Sequence, residues 1–237
     1  SKCEPVVMDE QFNSAVTDIF RNEYLSPRSP YTTLQIPKQG IGEWCHPLHT
    51  VDIDDSGLRS SVQKGVLNTK LGVPFRTPAE GQNIAFTSLW DNYPDSLTVS
   101  LKGKASRAYL LMAGSTNHMQ CHIDNGLIRV YYKDGTCDKM ALRNPDNWAP
   151  IEHIFFEDDL AFNRHAPALY RLRLKTGEIS NNFGEELGFP GASRELDGGA
   201  AILLEMPLNP DKKLSHLVLE TLSNDVVIGL MGITLQR

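Results

Sequence analysis

The sequence predicts an all-β chain: a two-sheet antiparallel β-sandwich of jelly-roll type with one N-terminal helix. Three observations predict it. Segments of period-2 hydrophobicity recur along the chain, separated by short turn signals. Asn125-Gly126 and Asp134-Gly135 read as two-residue hairpin turns, because both central residues of a type I′ turn need positive φ. A clear 3.6-residue apolar stripe occurs only once.

That stripe lies in residues 9–23. Phe12, Ala15, Val16, Ile19 and Phe20 share one helical face, with Asp9 as N-cap. Ser26-Pro27-Arg28-Ser29-Pro30 ends the helix, since a residue before proline is pushed out of the α region. Residues 31–47 are extended and broken by Pro37, Gly40 and Gly42. Residues 1–47 therefore read as a helix and extended linker, and residues 48–237 as the sandwich.

Within the sandwich, residues 48–53 and 71–76 read as strands around a turn at Asp54-Asp55-Ser56-Gly57. Residues 84–90 place Ile84, Phe86 and Trp90 on one face, and 97–101 alternate strictly through Leu97, Val99 and Leu101. Residues 107–113 are almost continuously apolar, as in a strand covered on both faces. A long irregular segment, 143–168, follows the central hairpins. Residues 169–174 alternate again, with Tyr170, Leu172 and Leu174 expected inward and Arg171 and Arg173 outward. Residues 200–206, 215–222 and 226–235 close the chain as strands, with turns at 210–211 and 224–225. About ten turn-separated strands suit a two-sheet sandwich.

Composition limits the partners. The chain has 237 residues, 41% hydrophobic and 22% charged, a length that one large all-β domain can hold. No run of 18 apolar residues predicts a membrane span. A net charge of -6 with no basic cluster argues against nucleic acid. The chain starts at Ser1, which suits either a mature protein or a piece of a longer one.

The four cysteines form no CxxC pair, so a structural zinc site is not expected from them. Two-residue turns at both Gly positions would pair Cys121 with Val130 and Cys137 with Tyr132, on opposite sides of one central strand. Their Cα atoms would then be at least ~9.5 Å apart, too far for a disulfide. Free thiols are expected at Cys121 and Cys137. Cys3 and Cys45 stay open.

Candidate site residues are aromatic and polar. Trp90 opens the run Trp90-Asp91-Asn92, and Trp148 follows Asn147. An indole stacks on the apolar face of a sugar, and flanking carboxylates or amides bind its hydroxyls. The ligand candidates are Trp90, Asp91, Asn92, Asn147, Trp148, Glu152 and Trp44. For each tryptophan the competing reading is a plug in the sandwich core. His46 and His49, and His118 and His122, are close in sequence, but four residues apart brings ligands together on a helix and not on a strand. No metal ligands are assigned. Asp52, Asp54 and Asp55 carry oxygens of the kind calcium takes, without the EF-hand pattern. No catalytic residue is assigned: Glu152, Glu157, Asp158, Asp159, Glu185 and Glu186 stand out only by number, GxSxG is absent, and so are the glycine-rich phosphate motifs.

Three stretches carry a resemblance: residues 72–117 (GVPFRTPAEGQNIAFTSLWDNYPDSLTVSLKGKASRAYLLMAGSTN), 130–152 (VYYKDGTCDKMALRNPDNWAPIE) and 226–237 (VVIGLMGITLQR). Together they resemble the C-terminal, galactose-binding-like β-sandwich of glycoside-hydrolase-like proteins of gut Bacteroidetes. The resemblance implies a jelly roll in polysaccharide breakdown, periplasmic or extracellular, with catalysis in a preceding domain. The expected function is a non-catalytic carbohydrate-associated module that binds glycan or braces a catalytic neighbour, with no cofactor beyond the calcium alternative. A stand-alone glycoside hydrolase using loops 143–168 and 177–199, or a purely structural interaction domain, are the alternatives.

Overall fold

Leu97 and Val99 are buried while Ser96, Thr98 and Ser100 are exposed, the alternation expected of a strand with one face on a core. A computed structural model describes residues 2–24, 36, 38–39, 48–49, 52–117, 120–154, 164–183 and 195–237, with backbone alone at 38–39 and 48–49. Its strands in chain order are β1 (Cys3–Pro5), β2 (Lys38–Gln39), β3 (Leu48–His49), β4 (Val62–Gln63), β5 (Val66–Asn68), β6 (Pro74–Arg76), β7 (Ala85–Ser88) and β8 (Ser96–Ser100). They continue with β9 (Arg107–Thr116), β10 (Asp124–Tyr132), β11 (Cys137–Arg143), β12 (Tyr170–Arg173), β13 (Ile179–Ser180), β14 (Ala200–Pro207), β15 (Leu214–Thr221) and β16 (Val226–Gln236). Among the described residues the α-helix is α1, Ser56–Ser60.

The topology is a jelly roll. The small sheet has the order β11-β10-β15-β8. The large sheet runs β1-β16-β9-β14-β12-β13, with β7 also paired to β16. Counting only β7–β11 and β14–β16, the large sheet holds the first, eighth, third and sixth strands side by side. The small sheet holds the second, seventh, fourth and fifth. That interleaving is the double Greek key of a two-sheet jelly roll, and all of these pairs are antiparallel. β1 and β7 share one edge of β16, at Thr234–Gln236 and Val227–Leu230 respectively.

Two cores flank the large sheet. Between the sheets, Leu110, Met112, Ile202, Leu204, Ile228 and Leu230 meet Leu97, Val99, Ile128, Val130, Leu217 and Leu219. On the outer face, Tyr109, Leu111, Ala113, Ala201, Leu203, Val227 and Met231 pack under Val16, Ile19, Phe20, Leu58, Leu67 and Phe75. This explains why 107–113 reads as unbroken apolar sequence: β9 is central and covered on both sides. The outer cover comes from the N-terminal segment, α1 and the small sheet β4-β5-β6.

The expected N-terminal helix is not an α-helix. Residues 9–23 contain two short 3-10 turns, Asp9–Gln11 and Val16–Asp18. The stripe is still used, since Phe12, Val16, Ile19 and Phe20 are all buried. What displaces the helix is the exposed edge of β7. The Asn13 side chain donates to Phe86 O (3.0 Å) and accepts Phe86 N–H (2.8 Å), and Ser14 forms a bridge with Ile84. The Val16 N–H goes to the Asn83 side chain (2.9 Å) rather than back along a helix. Covering an unpaired strand edge outweighs helical periodicity here.

Four local expectations also change. Asn125-Gly126 is not a turn; it lies inside β10 as a bulge between Asp124 and Gly126. The Asp134-Gly135 loop has three residues rather than two, with Gly135 at φ +86° and Tyr132 N–H donating to Thr136 O (2.9 Å). Cys137 consequently pairs with Tyr131 and not Tyr132. Cys121 precedes β10 and bridges Asn144, so the meander expected around Val130 is absent. The cysteines are nonetheless free thiols at Cys3, Cys121 and Cys137; Cys45 lies outside the described residues. Finally, Arg171 points inward, 6% exposed, while Tyr170 is 37% exposed.

Candidate functional site

Four connections cross between the two sheets at one end of the sandwich: 89–95, 117–123, the segment after Arg143, and 222–225. The registers place them together, since Ser88 pairs with Val227, Thr116 with Val226, Asp124 with Arg143 and Ser96 with Glu220. Hydrogen bonds join them. Trp90 Nε1 donates to Asn224 O (2.6 Å), Asn117 N–H to Asp225 O (3.1 Å), and His122 N–H to Asn144 O (2.8 Å).

On this end His122, Asp146 and His165 converge. One candidate ligand atom from each lies within 4.8 Å of the other two. The two imidazoles stack with centroids 5.0 Å apart and 25° between planes. Asp146 Oδ1 accepts the His165 backbone N–H (2.7 Å), which ties two parts of the long loop together. His122 sits at φ +54°, a left-handed conformation that costs a non-glycine residue on the order of 1 kcal/mol. His122 and Asp146 are half-buried and His165 is exposed. Among the described residues this is the one group of three such ligands close enough to share a cation.

The turn under the triad is held from both sides. Asn147 Oδ1 accepts Arg143 N–H (2.8 Å) and its Nδ2 donates to Ala141 O (2.8 Å). Asn144 Nδ2 reaches Cys121 Sγ at 3.4 Å. Arg143 Nε pairs with Asp124 Oδ1 at 2.6 Å. Below, Trp148 is fully buried.

Deeper in the same loop, Glu152 and Arg171 are buried together, 0% and 6% exposed. The Arg171 guanidinium donates to the carbonyls of His153, Pro150 and Ala200 (3.0 Å each) and of Ala201 (3.3 Å). It therefore staples residues 150–153 to the start of β14. Burial pushes the Glu152 carboxyl up, to about 8, against the opposing pull of Arg171. Burial also pulls Arg171 down, to about 10, so it stays charged at neutral pH. The pair is an internal brace with both side chains buried.

The sequence candidates divide as follows. Trp148 and Glu152 are interior and offer no surface to a ligand. Asn147 spends its amide on the turn. Trp90 is half-buried, packs edge-on to Tyr24 (6.2 Å), and forms a clasp with Asn92, whose Nδ2 donates to Glu23 O (2.8 Å). Asp91 is exposed beside it. Trp44 lies outside the described residues, as do Glu157, Asp158, Asp159, Glu185, Glu186, His46 and His118. The three acids considered for calcium are held apart by separate duties: Asp52 pairs with Arg21, Asp54 accepts Ser56 N–H, and Asp55 pairs with Arg59 and accepts from Asn83.

The triad has no local signature. Its members are 24 and 19 residues apart, His122 in a stretch read as strand and Asp146 and His165 in the long irregular segment, and spacing rules look for ligands within one element. Compared with protein-family models, with curated proteins and with solved structures, the chain matches none.

Proposed function

We propose that this chain is a non-catalytic, carbohydrate-associated jelly-roll module that binds glycan at the end where the four inter-sheet loops meet. The observation that carries the reading is the joining of those loops into one surface on a rigid scaffold. Loops held by a sandwich are a common place for recognition. The surface offers both kinds of group that a sugar needs. Asp91, Asp146, His122 and His165 supply hydrogen-bonding groups, and Ile123 (44% exposed) and Leu222 (41% exposed) supply apolar surface.

The non-catalytic part is supported by Glu152, an acid of the 143–168 loop, which is interior and braced by Arg171. A glycosidase acid must reach the glycosidic oxygen. In this reading the chain works beside a catalytic domain, in the periplasm or outside the cell.

A glycan array followed by affinity electrophoresis tests it. Binding in the range of roughly 1 mM to 1 μM is expected, about 4–8 kcal/mol. Asp91→Ala should weaken it, because Asp91 is exposed on that surface. No binding across plant, microbial and host glycans would overturn the reading. So would turnover of a glycan by the isolated chain.

A further inference from the structure

We propose that His122, Asp146 and His165 form a binding site for a divalent transition cation of the zinc type. The site shares His122, Asp146 and His165 with the surface proposed above for glycan, but its test reads metal binding alone and can succeed or fail without glycan binding.

The donor set selects the ion. Two imidazoles and one carboxylate suit zinc and its neighbours, whereas calcium and magnesium take oxygen ligands. The geometry is close to what zinc needs. Ligand atoms about 2.0–2.2 Å from a tetrahedral zinc stand roughly 3.3 Å from one another. The three groups already lie within 4.8 Å, so side-chain rotation brings them to that spacing. The stacked imidazoles are on separate loops yet held side by side. Among the described residues no hydrogen bond occupies either ring.

The frame is pinned rather than loose. His122 N–H is fixed to Asn144 O, and His165 N–H to Asp146 Oδ1. The three ligands thus come from chain segments already joined by one backbone hydrogen bond and by one from the His165 backbone to the Asp146 carboxylate. The ion would add a further cross-link between the 117–123 connection and the two parts of the long loop. Three protein ligands, one of them exposed, leave a coordination position for water or for an oxygen of a bound molecule. Such a position lies on the same loop end as Asp91 and Leu222.

The test uses tag-free protein dialysed against chelator. Zinc is titrated by calorimetry, and cobalt by the visible absorption of its tetrahedral complex. The expected result is one saturable zinc site with Kd below about 10 μM and a zinc-dependent rise in thermal midpoint. His165→Ala and Asp146→Asn should each weaken binding at least about tenfold, the scale of a lost site residue. His165 is exposed, so its variant should keep the parental circular dichroism. His216→Ala, on β15 against Tyr131, should bind zinc as the parent does. Absence of saturable binding at about 100 μM zinc, or equal binding by the His165 and Asp146 variants, would overturn the proposal. Tight calcium binding with zinc excluded would overturn it as well.

Discussion

A Cβ on Gly114 would stand 2.6 Å from Cζ2 of Trp148, so the glycine and the indole occupy one slot. The same atom would be 2.1 Å from Val227 O, which is backbone and cannot swing away. Gly114 lies in β9, the central strand of the large sheet, and its carbonyl accepts Ile151 N–H (2.8 Å). The long loop is thus seated on the sheet at the point where a side chain is missing. Gly114→Ala should destabilise the chain by about 2–3 kcal/mol or prevent folding. Trp148→Ala should cost about 3–5 kcal/mol as a large core deletion. In urea unfolding the double variant should differ from the sum of the singles, since the two groups touch. A Gly114→Ala midpoint equal to the parent's would contradict the close approach.

Arg171 should be irreplaceable by lysine. Its fork reaches four carbonyls, and a single ammonium cannot copy that geometry. Arg171→Met should cost about 3–5 kcal/mol, because it strands four carbonyl acceptors in the interior. Adding Glu152→Gln should change that loss little, since burial already holds the Glu152 carboxyl largely protonated near pH 7. Denaturant unfolding of the two singles and the double checks both statements; an Arg171→Lys variant of parental stability would refute the first.

Asp225 makes stability depend on pH in a known direction. Burial raises its carboxyl from 3.8 to about 6. Below about pH 3.8 folded and unfolded chains both hold the proton. Between there and about 6 the unfolded chain releases it first, so stability falls as pH rises. Above about 6 the loss is complete, at most about 3 kcal/mol. Asp225→Asn should therefore gain on the parent from pH 4 to 6 and hold a constant lead above. A difference that does not change with pH over that range would count against it.

Cys3, Cys121 and Cys137 should all react as thiols. Alkylation of denatured, unreduced protein followed by peptide mapping checks this. A peptide linking Cys121 to Cys137 would contradict both the bridge of Cys121 to Asn144 and the pairing of Cys137 with Tyr131.

Much of the strand pattern was legible because side-chain alternation is local. Leu97 and Val99 of β8 declare their face within five residues. The continuous burial of β9 was equally readable, because a strand with two cores has no polar face to show. The Asn125-Gly126 pair shows where local reading stops. Its chemistry suits a turn, yet Asn125 Oδ1 accepts from Thr116 (2.8 Å), and its carbonyl receives Leu222 and Ser223 N–H. Those partners come from the end of β9 and from the connection after β15, and they convert a turn signal into a bulge.

The sequence by itself determined the all-β class, most strand positions and the burial of the N-terminal stripe, since each depends on near-neighbour periodicity. Tertiary structure decided the rest. Asn13 and Ser14 met the open edge of β7, so the stripe became two 3-10 turns and not a helix. Arg171 met four carbonyls and turned inward against its strand's alternation. His122, Asp146 and His165 came together only because the crossing connections of a jelly roll share an end. Periodicity reports which side of an element is buried, but it carries no information about which distant groups will be waiting there.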